Sequence, residues 1–81
     1  MRLVGEVPHP TLKITLFSWN NRYLVKFEQG YLEQTYKIDQ FDVSGDQALK
    51  DMLDPAFLDG VSQRFETMEA DWSGAIRRAD S

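Results

Sequence analysis

The residues of this chain that could do chemistry are few and scattered. His9 is the single histidine, set between Pro8 and Pro10, and there is no cysteine. Sharing a metal takes a second imidazole or a thiol, and nucleophilic catalysis takes a serine or cysteine elbow for the ring to activate. Neither accompanies His9, which reads as an exposed loop residue. Asp39, Asp42 and Asp46 are three and four residues apart. A calcium loop instead spaces its first ligands by two and closes on a glutamate at its twelfth position. Asp51, Asp54 and Asp59 read as helix-terminal and surface acids. Neither Gly30 nor Gly45 opens the glycine-rich runs that cradle phosphate. The expectation is a non-enzymatic chain with no catalytic residues, no metal ligands and no cofactor.

Length and composition bound what remains. Eighty-one residues suffice for a single domain over 1–81. A chain of this size buries only about 60–65% of its unfolded surface, so its stability margin is narrow. Without cysteine, neither a disulfide framework nor a thiolate zinc site can reinforce it. Hydrophobic residues at 42% and charged residues at 27% are ordinary for a folded domain and too apolar for a disordered one. No apolar run reaches the roughly 18 residues of a membrane span, and the N-terminus lacks a signal-like apolar core. The expected compartment is the cytoplasm, with no membrane partner. The net charge of −4 is unevenly divided. Residues 1–38 hold five bases against three acids, and residues 39–81 hold four bases against ten acids.

The elements that must position any functional surface are legible as hydrophobic periods. Leu12 to Trp19 alternates with period two, as does Arg22 to Glu28, with Asn20 and Asn21 between them. Two asparagines tolerate positive φ, which predicts a type I′ hairpin. That turn sets Trp19 opposite Arg22, Phe17 opposite Leu24 and Ile14 opposite Phe27. One face then carries Ile14, Leu16, Tyr23, Val25 and Phe27. The other carries Lys13, Thr15, Phe17, Trp19, Leu24 and Lys26. A second turn at Gln29 and Gly30 predicts a third strand, with Tyr31 opposite Glu28, Glu33 opposite Lys26 and Tyr36 opposite Tyr23. Leu32, Tyr36 and Ile38 join the first face, and the pairs Lys13–Glu28 and Lys26–Glu33 follow from the register.

After residue 38 the period becomes helical. Ser44 with Gln47 resembles a capping box for a short helix over about 47–53. Asp54–Pro55 restarts a second helix, because aspartate accepts the free amides and proline suits the first helical turn. Leu58, Val61, Phe65, Met68 and Trp72 draw one apolar stripe along it. Gly60 suggests close approach to a strand, Gly74 suggests that the helix ends or frays there unless Ala75 and Ile76 extend it, and 75–81 reads as a tail. Residues 1–10 read either as an edge strand or as a flexible arm, since Leu3, Val4 and Val7 favour pairing and Pro8 and Pro10 limit it. The fold class is α+β. A three-stranded antiparallel meander over 11–38, or a four-stranded one with the N-terminal segment, carries helices over 46–74 on one face.

The face left uncovered is the candidate site. It groups Phe17, Trp19, Leu24 and Tyr31 with Lys13, Arg22 and Lys26, and Lys37 lies among them. Clustered large apolar side chains open to water usually mark contact surfaces. Two functions fit them. One is a protein-interaction or self-associating module that meets a protein partner or forms a homodimer. The other is single-stranded nucleic-acid binding by base stacking, against which stands a face charge of only about +2 on an acidic protein. Alternatively, the N-terminal segment or a tail bearing Trp72 and Ile76 folds over this face and leaves it as interior.

Overall fold

Two left-handed asparagines set the frame. Asn20 and Asn21 adopt φ of 56° and 63°, so the chain reverses in two residues, with a twist that suits the flanking strands. The computed structural model describes residues 1–80. It shows a four-stranded antiparallel sheet in the order β1 (Arg2–Val7), β2 (Lys13–Trp19), β3 (Arg22–Gln29), β4 (Leu32–Asp39). A 3₁₀ turn (Gln40–Asp42), a short helix α1 (Asp46–Asp51) and a long helix α2 (Pro55–Ala79) follow. The β2–β3 register is the one the asparagine turn dictates, from Lys13 opposite Glu28 to Trp19 opposite Arg22.

Some expectations need correction, and the open reading of the N-terminal segment is resolved in favour of a strand. The second turn is centred on Gly30 and Tyr31, with Gln29 opposite Leu32, Glu33 opposite Glu28 and Tyr36 opposite Val25. Gly30 takes φ of 59° at the first central position. A turn centred on Gln29 and Gly30 would ask glutamine for that conformation, where its Cβ is disfavoured. Moving the turn by one residue moves the register by two, so every side chain keeps its face. The N-terminal segment is ordered as β1, with a bulge between Leu3 and Gly5 that absorbs Val4.

The short helix is capped by the backbone of Gly45 at φ 151°, not by Ser44, and Gln47 donates forward to Asp51. Only glycine takes that φ readily, so the chain bends into α1 there. Gly74 does not stop α2, which continues to Ala79; Ser81, the last residue of the expected tail, lies outside the described residues. Beside Gly60, the Val61 carbonyl accepts from Gln34 of β4 at 3.0 Å, although no strand atom stands nearest to Gly60 itself. Its nearest neighbour is the Arg64 guanidinium, 3.1 Å from where a Cβ would stand.

The core sits between the sheet and the helices. Ile14, Leu16, Val25 and Phe27 are buried against Leu49 of α1 and Val61 and Phe65 of α2. Asp54 caps α2 as expected, its carboxylate accepting from the Phe57 N–H at 2.9 Å. Phe27, Tyr36 and Phe57 pack with ring centroids 5.3–5.9 Å apart. Arg64 closes the cluster, its guanidinium over the Tyr36 and Phe57 rings and its Nε donating to the Tyr36 hydroxyl and Gln34 Oε1, each at 3.1 Å. Tyr23 donates to Asp46 at 2.8 Å and so ties α1 to β3.

Helix α2 outlasts the sheet. Twenty-five residues span about 37 Å at 1.5 Å each, while an eight-residue strand spans about 27 Å. The radius of gyration of 14.8 Å therefore exceeds the ~12 Å of a compact domain this long. Trp72, 54% exposed, lies on the projecting end.

Candidate functional site

The sheet face turned away from the helices resolves into four rows across the strands. Trp19, Arg22 and Asp39 form the row beside the asparagine turn. Leu3, Phe17, Leu24 and Lys37 form the second, Glu6, Thr15, Lys26 and Thr35 the third, and Lys13, Glu28 and Glu33 the fourth. Chemistry separates the two halves. The first two rows carry Leu3, Phe17, Trp19 and Leu24, with Arg22, Lys37 and Asp39 at their side, and the last two carry Lys13, Lys26, Glu28 and Glu33, paired with one another.

In the charged half, Lys26 Nζ lies 3.1 Å from Glu28 and 3.6 Å from Glu33, while Lys13 Nζ lies 3.9 Å from Glu28. Both expected ion pairs are present, although Glu33 reaches Lys26 diagonally. The hydrogen bond and charge of Glu28, with the charge of Glu33, raise the Lys26 pKa above its ordinary value. Thr15 is buried beneath these long side chains although no helix covers it, as expected when alkyl stems lie over a surface. Lys13 and Lys26 are therefore occupied by the chain's own acids.

In the apolar half, Phe17 and Leu24 are half-buried against one another, while Leu3 is 60% and Trp19 51% exposed. No described terminal segment covers them: the N-terminal residues extend the sheet sideways as β1, and α2 lies on the opposite face. Of the expected site residues, Phe17, Trp19, Leu24 and Arg22 come together, and Lys13 and Lys26 lie one to two rows away. Tyr31 does not join them. It occupies the β3–β4 turn, fully exposed, at the far end of β3 from Trp19, roughly 24 Å away at strand spacing. Leu3 belongs to the patch through its pairing with Phe17, which the sequence does not show because the bulge at Val4 breaks the period of β1. Counting Glu6 and Asp39, four acids face four bases across the whole surface, so its charge is balanced, not basic.

Two further places invite inspection. His9 is no idle loop residue: its Nδ1 accepts from the backbone N–H of Thr11 at 3.2 Å and of Leu12 at 3.1 Å, closing the β1–β2 loop. An apolar groove of about 220 Å³ lies between β4 and the helices, lined by Val25, Tyr36, Ile38, Leu49, Leu53 and Phe57 among others. Its lining contains no carboxylate, and its polar side chains are those of Tyr36 and Lys37. Among the described residues no group of three or more His, Asp or Glu could hold a metal ion, and no helix is long and apolar enough to cross a membrane. No protein-family model, curated protein or solved structure matches this chain.

Proposed function

We propose that this protein is a non-enzymatic protein-interaction module whose contact surface is the apolar half of the uncovered sheet face. The observation that carries this reading is the contiguous row Leu3, Phe17 and Leu24 across three strands, extended by Trp19 and open on the side away from α2. Exposed aromatic and aliphatic side chains on a rigid sheet lose little freedom on binding and exclude water from the centre of an interface. Arg22 and Lys37 beside the row outnumber Asp39 and favour a partner whose own apolar residues are flanked by carboxylates.

The test compares the wild-type chain with a Trp19→Ala, Leu24→Ser variant as bait, with circular dichroism as the control for folding. Proteins retained by the wild type should be lost from the variant. An unchanged set of captured proteins would sink the reading. Single-stranded nucleic acid on the same face is the second reading, favoured by the adjacency of Trp19, Arg22 and Lys37. It predicts oligonucleotide binding at low salt that weakens steeply as salt rises; the balanced charge of the face is the argument against it.

A further inference from the structure

The two edges of the sheet differ in how they are guarded. β1 is interrupted by the bulge between Leu3 and Gly5 and is followed at once by Pro8. Both devices discourage strand addition. β4 is eight residues long, pairs with β3 without a bulge and contains no proline. Because Gln29 and Leu32 close a two-residue turn, they form a hydrogen-bonded pair, and the alternation passes the inward bonds to Gln34, Tyr36 and Ile38. The N–H and C=O groups of Glu33, Thr35 and Lys37 therefore point out of the sheet.

We propose that β4 pairs antiparallel with β4 of a second copy about a two-fold axis at Thr35, joining two four-stranded sheets into one of eight. Around Thr35 the strand is its own complement. On the uncovered face each Glu33 stands opposite the partner's Lys37, and the two Thr35 side chains meet at the axis. On the helix face each Leu32 stands opposite the partner's Ile38, and both are only half-buried in the single chain. Sliding the register by two residues loses this match. One direction sets Glu33 against the partner's Asp39, and the other leaves no charge pair at all.

The apolar groove supplies a second reason. Ile38 forms part of its wall, so the partner's Leu32 arrives at its rim and covers apolar surface that one chain leaves open. Such a contact is isologous and closes at two copies. It also sets both apolar half-faces on the same side of the joined sheet, so the dimer would meet a partner bivalently.

Sedimentation of the full chain over a range of concentrations tests this. The 9.4 kDa chain should run at twice its mass. Lys37→Glu sets glutamate against glutamate at two sites and should raise the dissociation constant about tenfold. Adding Glu33→Lys to it restores opposite charges and should restore the dimer. Thr35→Pro deletes an outward N–H without touching a bond to β3, and should give a folded monomer. Trp19→Ala should leave the dimer intact, which separates this proposal from the contact face proposed above. A wild-type monomer at millimolar concentration would overturn the proposal. So would a dimer indifferent to both Lys37→Glu and Thr35→Pro, or one abolished by Trp19→Ala.

Discussion

The two faces of the sheet are built from alternate residues of the same strands, yet they handle apolar surface in different ways. Ile14, Leu16, Val25 and Phe27 are closed off by a helix whose stripe at helical spacing lies across them. Phe17 and Leu24, each one residue from a covered neighbour in its own strand, have only lateral neighbours such as each other, Leu3 and Lys37 for cover. Burial by a second layer removes water from both packed surfaces, whereas lateral contact within one face removes it only between neighbours. An apolar residue on the covered face is therefore spent on stability. The same residue type on the bare face is available for a partner.

Substitutions can break that contrast, beginning with the largest. Phe27→Ala on the covered face deletes a ring in contact with Tyr36 and Phe57 and should cost about 3–5 kcal/mol in urea unfolding. Phe17→Ala on the bare face should cost less, roughly 1 kcal/mol, because no second layer of side chains covers the ring. Equal costs for the two would abolish the distinction between the faces. Asp54→Ala tests whether the cover depends on its cap. Losing the bond to the Phe57 amide should lower stability by about 1 kcal/mol without changing the sheet's amide shifts. Trp19→Ala should stay within roughly 0.5 kcal/mol of wild type, and a larger loss would mean that the ring supports the fold.

The last prediction concerns alkaline pH, where both faces contribute with the same sign. The hydrogen bond from Tyr23 to Asp46, then burial, raises the Tyr23 pKa above its ordinary 10.0, and Glu28 raises that of Lys26 above 10.5. A raised folded pKa means that the fold holds the proton more tightly than the unfolded chain does. The stability involved is complete below the unfolded values and is lost as pH rises through the folded ones. Chemical denaturation at stepped pH should show this decline, and Tyr23→Phe should flatten part of it. A variant with an undiminished decline would remove Tyr23 from the account.

Much of this was readable before any coordinates. The asparagine pair specifies one turn type, and a two-residue turn leaves one register, so both faces of β2 and β3 follow from local chemistry. The stripe from Leu58 to Trp72 and the Asp54–Pro55 start are equally local. Where reading failed, two local solutions competed. Gly30 could serve either position of its turn, and Ser44 and Gly45 each offered a way into α1. Gly74 weakens a helix without ending it, since the surrounding residues propagate it at about 1 kcal/mol of local cost.

By itself, then, the order of residues determined which side chains share a face, because strand and helix periods are properties of the backbone. Only the tertiary structure decided which face stays bare. Pairing of the N-terminal residues as β1 beside β2, and the seating of the helices on one face only, depend on contacts between segments distant in sequence. Those contacts are governed by how much apolar surface each alternative buries in the assembled fold, a quantity that no local period encodes.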